Sequence, residues 1–298
     1  MNIPQLRTFV TVIDAGSFSE AARQMGISQP AVTMQMQSLE ADAGATLLDR
    51  RYRRIDLTEA GRVLLPYARK VLAEIECARE DISALSGAVT GRLVIAASTT
   101  PGVYVIPRLL GPFLAENPQV GVTITVHDTS EVVEAVESGR ANFGVTGAIV
   151  KGAKVTFEPI GTDELVVVCS PSSPLATSKS VPLTDLADVN WVTRESGSGT
   201  RQVGESFLAE NGLDPAELCV AVELGTGEAI VSAIEGGLGV AMLSSHVAEK
   251  ALALGTVARV DVATPPVVRT YFAVLPKGTP THAAEAFSAF LREKLAES

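Results

Sequence analysis

The sequence predicts two folds in one chain: an N-terminal all-α winged helix-turn-helix with a long linker helix, then a C-terminal α/β domain of two lobes. Three observations carry this. Residues 17–40, SFSEAARQMGISQPAVTMQMQSLE, read as two short helices joined by a tight turn. Residues 58–86 repeat apolar side chains at every third or fourth position. From Arg92 onward, short apolar runs alternate with amphipathic ones, as repeated β-α-β units of a mostly parallel sheet do.

The first helix covers 2–15, with Leu6, Phe9, Val10 and Ile13 on one face. Ser17 caps the second helix, and Glu20 three positions on completes a capping box. Ala21, Ala22 and Met25 form its apolar face. Gly26 supplies the left-handed residue of a helix end. Ile27 is expected buried in the turn. Ser28 caps the next helix, and Pro30 falls in its first turn, where a missing N–H costs nothing. Val32, Met36 and Leu39 then share an inner face, which turns Pro30, Thr33, Met34 and Gln37 outward, with Gln29 at the tip. Gln29 and Gln37 match adenine edges, and Thr33 and Met34 match thymine methyls. The plain alternative is a helical hairpin with a polar outer face.

Gly44 ends this helix, and Leu47 and Leu48 return to the core. Arg50, Arg51, Arg53 and Arg54 cluster around Tyr52 before Ile55 and Leu57 re-enter a strand. Beside a helix-turn-helix such a wing suits phosphates or a minor groove; otherwise it is a solvated charge run. Thr58 caps the linker helix, whose seam is Leu64, Tyr67, Val71, Ile75, Ala78, Ile82 and Leu85, with a bend expected at Pro66. The seam packs on its own domain or, as two-fold sites favour, on a second copy.

Charge agrees with this division. The net charge is −10, yet residues 1–70 hold nine Lys or Arg against seven Asp or Glu, and residues 91–298 hold fourteen against twenty-three. A basic patch need only be local. Hydrophobic residues make up 46% of 298 positions, enough for a large core. No membrane-length apolar run and no leader pattern is present, so a cytoplasmic location is expected. Cys77, Cys169 and Cys219 are far apart and read as core thiols.

Residues 1–62 resemble the N-terminal domain of LysR-type transcriptional regulators. The matching residues are Leu6, Phe9, Ser17, Phe18, Ala21, Ala22, Ser28, Gln29, Pro30, Ala31, Val32, Leu39, Glu40, Gly44, Leu47, Leu48 and Arg50, continuing through Leu57, Thr58, Glu59, Ala60 and Gly61. The family often carries basic residues where this chain has Met34 and Gln37, which suggests an A·T-leaning site held weakly by this helix alone. The resemblance implies a linker helix that dimerises, a tetramer as a pair of dimers, promoter DNA as partner, RNA polymerase as a candidate partner, and a two-lobed effector domain similar to type 2 periplasmic binding proteins. The expected domains are 1–58, 59–90 and 91–298, with lobe I at 91–164 and 266–298 and lobe II at 165–265.

Ligands of open α/β sheets sit at the carboxyl ends of strands. Three hydroxyl-rich turns fall there: Ser98-Thr99-Thr100, Ser196-Gly197-Ser198-Gly199-Thr200-Arg201, and the turn holding Thr226. Glycines in the second let backbone N–H groups converge, and Arg201 supplies a fork for an oxyanion. The family comparison adds Thr129 and Gly147. It also likens STTPG and SGSGTR to regulators of sulfur, selenium or carbon assimilation, implying a sulfite-like oxyanion or a phosphorylated or carboxylated metabolite. On this reading Arg201→Ala cuts effector affinity. An enzyme is the rival class, with Ser198 as nucleophile, but no GxSxG, HExxH, Walker loop or paired metal motif is present, and no cofactor or metal is expected. His127, His246 and His282 are scattered, and His127 is either structural or cleft-lining. A solute-binding protein is the other alternative, opposed by residues 17–62.

Overall fold

The computed structural model describes residues 1–49, 55–85 and 88–296. The chain forms two compact units, Met1–Gly87 with Ser138–Arg140, and Ala88–Glu137 with Ala141–Ser298.

The first unit contains α1 (Ile3–Ala15), α2 (Phe18–Met25), α3 (Gln29–Ala43), the short strands β1 (Leu48–Asp49) and β2 (Asp56–Leu57), and α4 (Glu59–Ala84). Side chains of Asn2, Ser17, Ser28 and Thr58 cap the four helices by accepting from the N–H groups of Gln5, Glu20, Ala31 and Gly61. Gly16, Gly26 and Gly44 end α1, α2 and α3 at φ of +67, +66 and +65°, where a side chain would be strained. The box expected at Ser17 is only half made. Glu20 turns its carboxylate to Arg23 and Gln24, and the complete box lies at Asn2 and Gln5. Phe9, Val12, Ala21, Ala22, Val32, Met36, Leu39, Leu47 and Leu48 form the core. Ile27, expected inside, is 36% exposed. The reversal at Gly26 turns it outward, and the larger α3 side chains fill the space over Ala21 and Ala22. β1 and β2 pair antiparallel, Leu48 opposite Leu57. Arg50, Arg51, Arg53 and Arg54 lie outside the described residues. In α4, Tyr67, Val71 and Ile82 of the predicted seam are exposed, as is Leu85 at its C-cap, while Leu64 packs on the head core.

The second unit begins with β3 (Thr90–Ser98), a π-helical turn (Pro101–Val105) running into α5 (Ile106–Glu116), β4 (Gln119–His127), α6 (Thr129–Glu137), β5 (Phe143–Thr146) and β6 (Val155–Cys169). It continues through β7 (Trp191–Arg194), α7 (Gly199–Glu210), β8 (Val220–Leu224), α8 (Gly227–Glu235), β9 (Val240–Ser244), α9 (Ser245–Leu254), β10 (Ala258–Arg259), β11 (Val267–Pro276) and α10 (His282–Ala296). The strand order is β4-β3-β5-β11-β6-β9-β7-β8, with β10 on β6. The sheet is mixed rather than mostly parallel. Strands β4, β3 and β5 run parallel in one lobe, as do β9, β7 and β8 in the other. The long β6 and β11 pair antiparallel with each other and with β9 and β5, and so carry the chain across and back. One lobe closes on Phe113, Phe143, Tyr271 and Phe287, the other on Val168, Val192, Ile230 and Leu243.

Cys77 and Cys169 are buried, and burial raises both thiol pKa values; Cys219 is exposed, so only two of the three are core thiols. Among the described residues, no helix is long and apolar enough to cross a membrane.

Candidate functional site

On the helical head, Val32, Met36 and Leu39 are fully buried, and this fixes the phase of α3. Gln29, Pro30, Met34 and Gln37 are therefore exposed, Met34 at 66%. Thr33 is half-buried and donates its hydroxyl to the Gln29 carbonyl at 3.0 Å, which leaves its methyl for contact. Ser19 of α2 donates to Gln29 Oε1 at 3.2 Å, holding that side chain at the N-terminus of α3. On the inner side, Gln5 donates to Ser38 Oγ at 2.9 Å, and Thr8 donates to Gln35. The predicted reading face is thus one continuous side of one helix, with its angle fixed by polar ties to α1.

In the second unit, the carboxyl ends of β3, β4, β5 and β7 converge on one pocket. Ser98, Thr99 and Thr100 follow β3; His127 and Asp128 end β4; Thr129 opens α6; Gly147 follows β5; Arg194 and Glu195 follow β7; Ser198, Gly199 and Thr200 open α7; and Arg269 reaches in from β11. The N-termini of α6 and α7 both lie at this pocket, a setting that favours negative charge. The Thr129 hydroxyl is buried and has no hydrogen-bond partner among the described residues. The cavity measures about 10 Å³, room for a single water-sized group, so any metabolite requires the lobes to part or a side chain to move.

Two arginines supply the pocket's positive charge. Arg269 is held rigidly. Its Nε and NH2 donate to Asp163 Oδ2 at 2.7 and 2.6 Å, and its NH1 donates to the Thr200 hydroxyl at 2.8 Å. Asp163 is wholly buried and also accepts from Ser244 Oγ at 2.9 Å. Tyr271 lies beneath, its ring centroid 5.2 Å from the guanidinium, and burial holds its phenol above the usual range. Gly147 makes this possible, since a Cβ there would stand 3.1 Å from Arg269 NH1. Arg194 is also buried. Its Nε and NH2 each meet one carboxylate oxygen of Glu195 at 2.7 Å, and NH2 reaches Thr99 Oγ1 of the facing lobe at 3.4 Å. Farther out, Arg108 of α5 and Glu249 of α9 form an ion pair of 2.7 Å between the lobes. Burial and a hydrogen bond to Glu228 of α8 raise the Tyr104 pKa.

Of the effector residues predicted from sequence, Ser98, Thr99, Thr100, Thr129, Gly147, Ser198, Gly199 and Thr200 come together. Four do not. Ser196 and Gly197 lie exposed on the outer side of their turn, with Gly197 at φ +93°. Thr226 caps α8 by accepting from the Ala229 N–H at 3.2 Å. Arg201 points away, because the third position of α7 faces β8. Its Nε and NH1 donate to Glu205 at 2.6 Å and Glu223 at 2.5 Å, which raise its pKa, and NH1 also donates to the Arg194 carbonyl at 3.0 Å. The arginines in the pocket are Arg194 and Arg269, which sequence reasoning passed over. Arg269 did carry a signal: it sits between Val267 and Tyr271 on the inward face of an apolar strand, where a charge is costly unless paired. His127 lines the pocket, with Nδ1 3.6 Å from Glu131. Among the described residues no cluster could hold a metal ion.

Residues 3–62 match the family model "Bacterial regulatory helix-turn-helix protein, lysR family", and residues 86–296 match "LysR substrate binding domain". The chain is 37% identical over 260 residues to a "Probable RuBisCO transcriptional regulator" of Cyanophora paradoxa, covering 85% of this chain and 79% of that one. Among solved structures, CbnR in complex with its target DNA is 26% identical, with a TM-score of 0.67 over 98% of this chain and 99% of that one. The regulatory domain of Synechocystis CcmR in complex with 2-PG is 28% identical, with a TM-score of 0.63 over 69% of this chain and 98% of that domain. The helix-turn-helix head, the paired-lobe sheet and the cleft at its strand ends are thus those of one family, and this chain belongs to it: it is a LysR-type transcriptional regulator with an effector-binding domain.

Proposed function

We propose that this regulator governs carbon-assimilation genes in response to a small anionic metabolite held between the two lobes. The observation that carries the reading is the pair of buried arginines, Arg194 and Arg269, facing one hydroxyl-lined pocket at two helix N-termini. A buried guanidinium offers a planar fork that suits a carboxylate or phosphate. Relatives named as RuBisCO regulators, and a relative's regulatory domain bound to 2-PG, favour a phosphorylated or carboxylated metabolite over a sulfite-like oxyanion.

The DNA side of the proposal uses Gln29, Pro30, Thr33, Met34 and Gln37 for the major groove and Arg50, Arg51, Arg53 and Arg54 for phosphates or the minor groove. Residues 1–58 read, 59–90 join two copies, and 91–298 sense. Exposed apolar side chains along α4, including Tyr67, Val71, Ile82 and Leu85, support pairing with a second linker helix, and two such dimers make the tetramer. An effector that prefers one lobe spacing shifts the population toward it, and so changes how paired heads sit on their half-sites.

Thermal unfolding of the full chain against 2-PG, phosphorylated sugars, phosphate, sulfate, sulfite, thiosulfate and selenite tests this. A ligand at 100 times its dissociation constant adds about 2.7 kcal/mol. At roughly 2–4 °C per kcal/mol for this size, a rise of roughly 5–10 °C is expected with a phosphorylated acid. A rise with sulfite alone would move the reading to sulfur assimilation, and no rise with any anion would remove the anionic effector.

A further inference from the structure

The pocket's two arginines are neutralised in different ways. Arg269 is paired with Asp163, which is buried and pinned by Ser244, so that pair is a fixed part of the wall. Arg194 is paired with its own chain neighbour. The Glu195 side chain is 31% exposed and stands at the start of a turn whose next two residues, Ser196 and Gly197, are exposed. Its carbonyl is anchored, accepting from the Ser198 N–H at 3.2 Å, but its side chain has solvent on one side. The two carboxylate oxygens meet Nε and NH2 at 2.7 Å each, the side-on fork that a bound oxyanion would make with the same guanidinium.

Charge leads to the same place. Against Arg194 and Arg269 stand Asp163, Glu195 and Asp128, so the pocket carries no surplus of positive charge to attract an anion. Asp163 is buried, and Asp128 caps α6 by accepting from the Glu131 N–H at 2.8 Å. Only Glu195 is placed to leave.

We infer that Glu195 is a built-in competitor for the effector: its carboxylate occupies the oxyanion seat on Arg194, and an effector binds by displacing it. The inference rests on the reading of this cleft as an anion site. It specifies the ligand further. The displacing group must carry at least two oxygens on one centre, as carboxylates and phosphates do, in order to satisfy Nε and NH2 together. The room that the carboxylate vacates, in the pocket that the Thr99 and Thr129 side chains also line, enlarges a cavity otherwise too small for such a group. Affinity is then set by the difference between two anions on one arginine, so the competitor raises the effector concentration needed for a response.

The test is calorimetric titration of the full chain and its Glu195→Gln variant with 2-PG and with inorganic phosphate. The glutamine keeps the shape and loses the charge. The variant is expected to bind both probes about tenfold more tightly, the scale of one charge-assisted hydrogen bond. Its melting temperature should be lower without added anion, because Arg194 loses its counter-charge, and phosphate should restore it. The double variant Arg194→Gln with Glu195→Gln should lose the gain. Binding by Glu195→Gln that equals or falls below that of the unsubstituted chain overturns the inference while leaving the anion site standing. Silence from the unsubstituted chain and both variants overturns the anion site and the inference with it. Should Glu195→Gln fail to fold, Glu195→Asp serves. Its side chain is one methylene shorter and does not bring the carboxylate to both nitrogens, so it too should bind phosphate more tightly, and unchanged binding counts against the competitor.

Discussion

The helical head and the candidate effector cleft both place polar side chains at helix N-termini, but they locate them by opposite means. In the head, each cap and its N–H partner are three residues apart, and the proposed reading face is whatever α3 has left after Val32, Met36 and Leu39 are buried. In the cleft, the converging side chains come from segments spread between Ser98 and Arg269, and strand order alone makes them neighbours. Local rules specify the head one helix at a time. The cleft depends on β6 and β11 crossing in the right register, and on charges that must find partners far away in sequence.

The comparison can be broken most severely at Arg269. Its replacement by alanine leaves the Asp163 carboxylate, wholly buried, without its counter-charge. Removing one member of a buried pair costs about 3–5 kcal/mol. Urea unfolding of the Arg269→Ala chain should show a loss of that size in the C-terminal transition, and Asp163→Asn in the same chain should recover part of it. A loss confined to a few tenths would mean that Asp163 is satisfied without the arginine. The head offers the matching local perturbation. Ser17→Ala removes the acceptor that holds the Glu20 N–H at 3.1 Å and should cost about 1 kcal/mol, seen as a lower midpoint for the head alone. If the two substitutions cost the same, the contrast between local and long-range construction fails.

What was legible in the sequence follows the same division. Helix starts at Ser17, Ser28 and Thr58 and the stops at Gly26 and Gly44 are one-dimensional signals, and all appear in the structure. β5 runs from Phe143 to Thr146, as its apolar run predicts. The first half of β6 carries no such signal. Residues 155–164, VTFEPIGTDE, hold a proline, a glycine and three acids, which interrupt any apolar run. They form a strand because β11 pairs along them, with Tyr271 opposite Gly161 and Phe272 opposite Pro159, so the irregular stretch is absorbed as a bulge beside Ile160. The cleft hydroxyls were legible because each sits in a strand-to-helix turn. The cations were not, because proximity in sequence pointed to Arg201 within SGSGTR, whereas burial selects Arg194 at the strand end and Arg269 from a strand about seventy residues later.

Arg201 provides the smallest expected effect and the finest test of the comparison. Its side chain is 27% exposed and tied to Glu205 one turn along α7 and to Glu223 on β8. Surface pairs of this kind contribute roughly 0–1 kcal/mol, so Arg201→Ala should move the unfolding midpoint only slightly. Among the described residues its side chain is linked to the cleft through the hydrogen bond from NH1 to the Arg194 carbonyl at 3.0 Å, which bears on the backbone and not on the Arg194 guanidinium. Titration with 2-PG should therefore give an affinity within about twofold of the unsubstituted chain, while Arg194→Gln abolishes binding. Two arginines seven residues apart, one at the end of a strand and one a turn into the next helix, would then differ wholly in function because β7 ends at the pocket and α7 turns away from it. Equal losses for both variants would mean that the glycine-rich turn itself, and not the strand end, holds the anion.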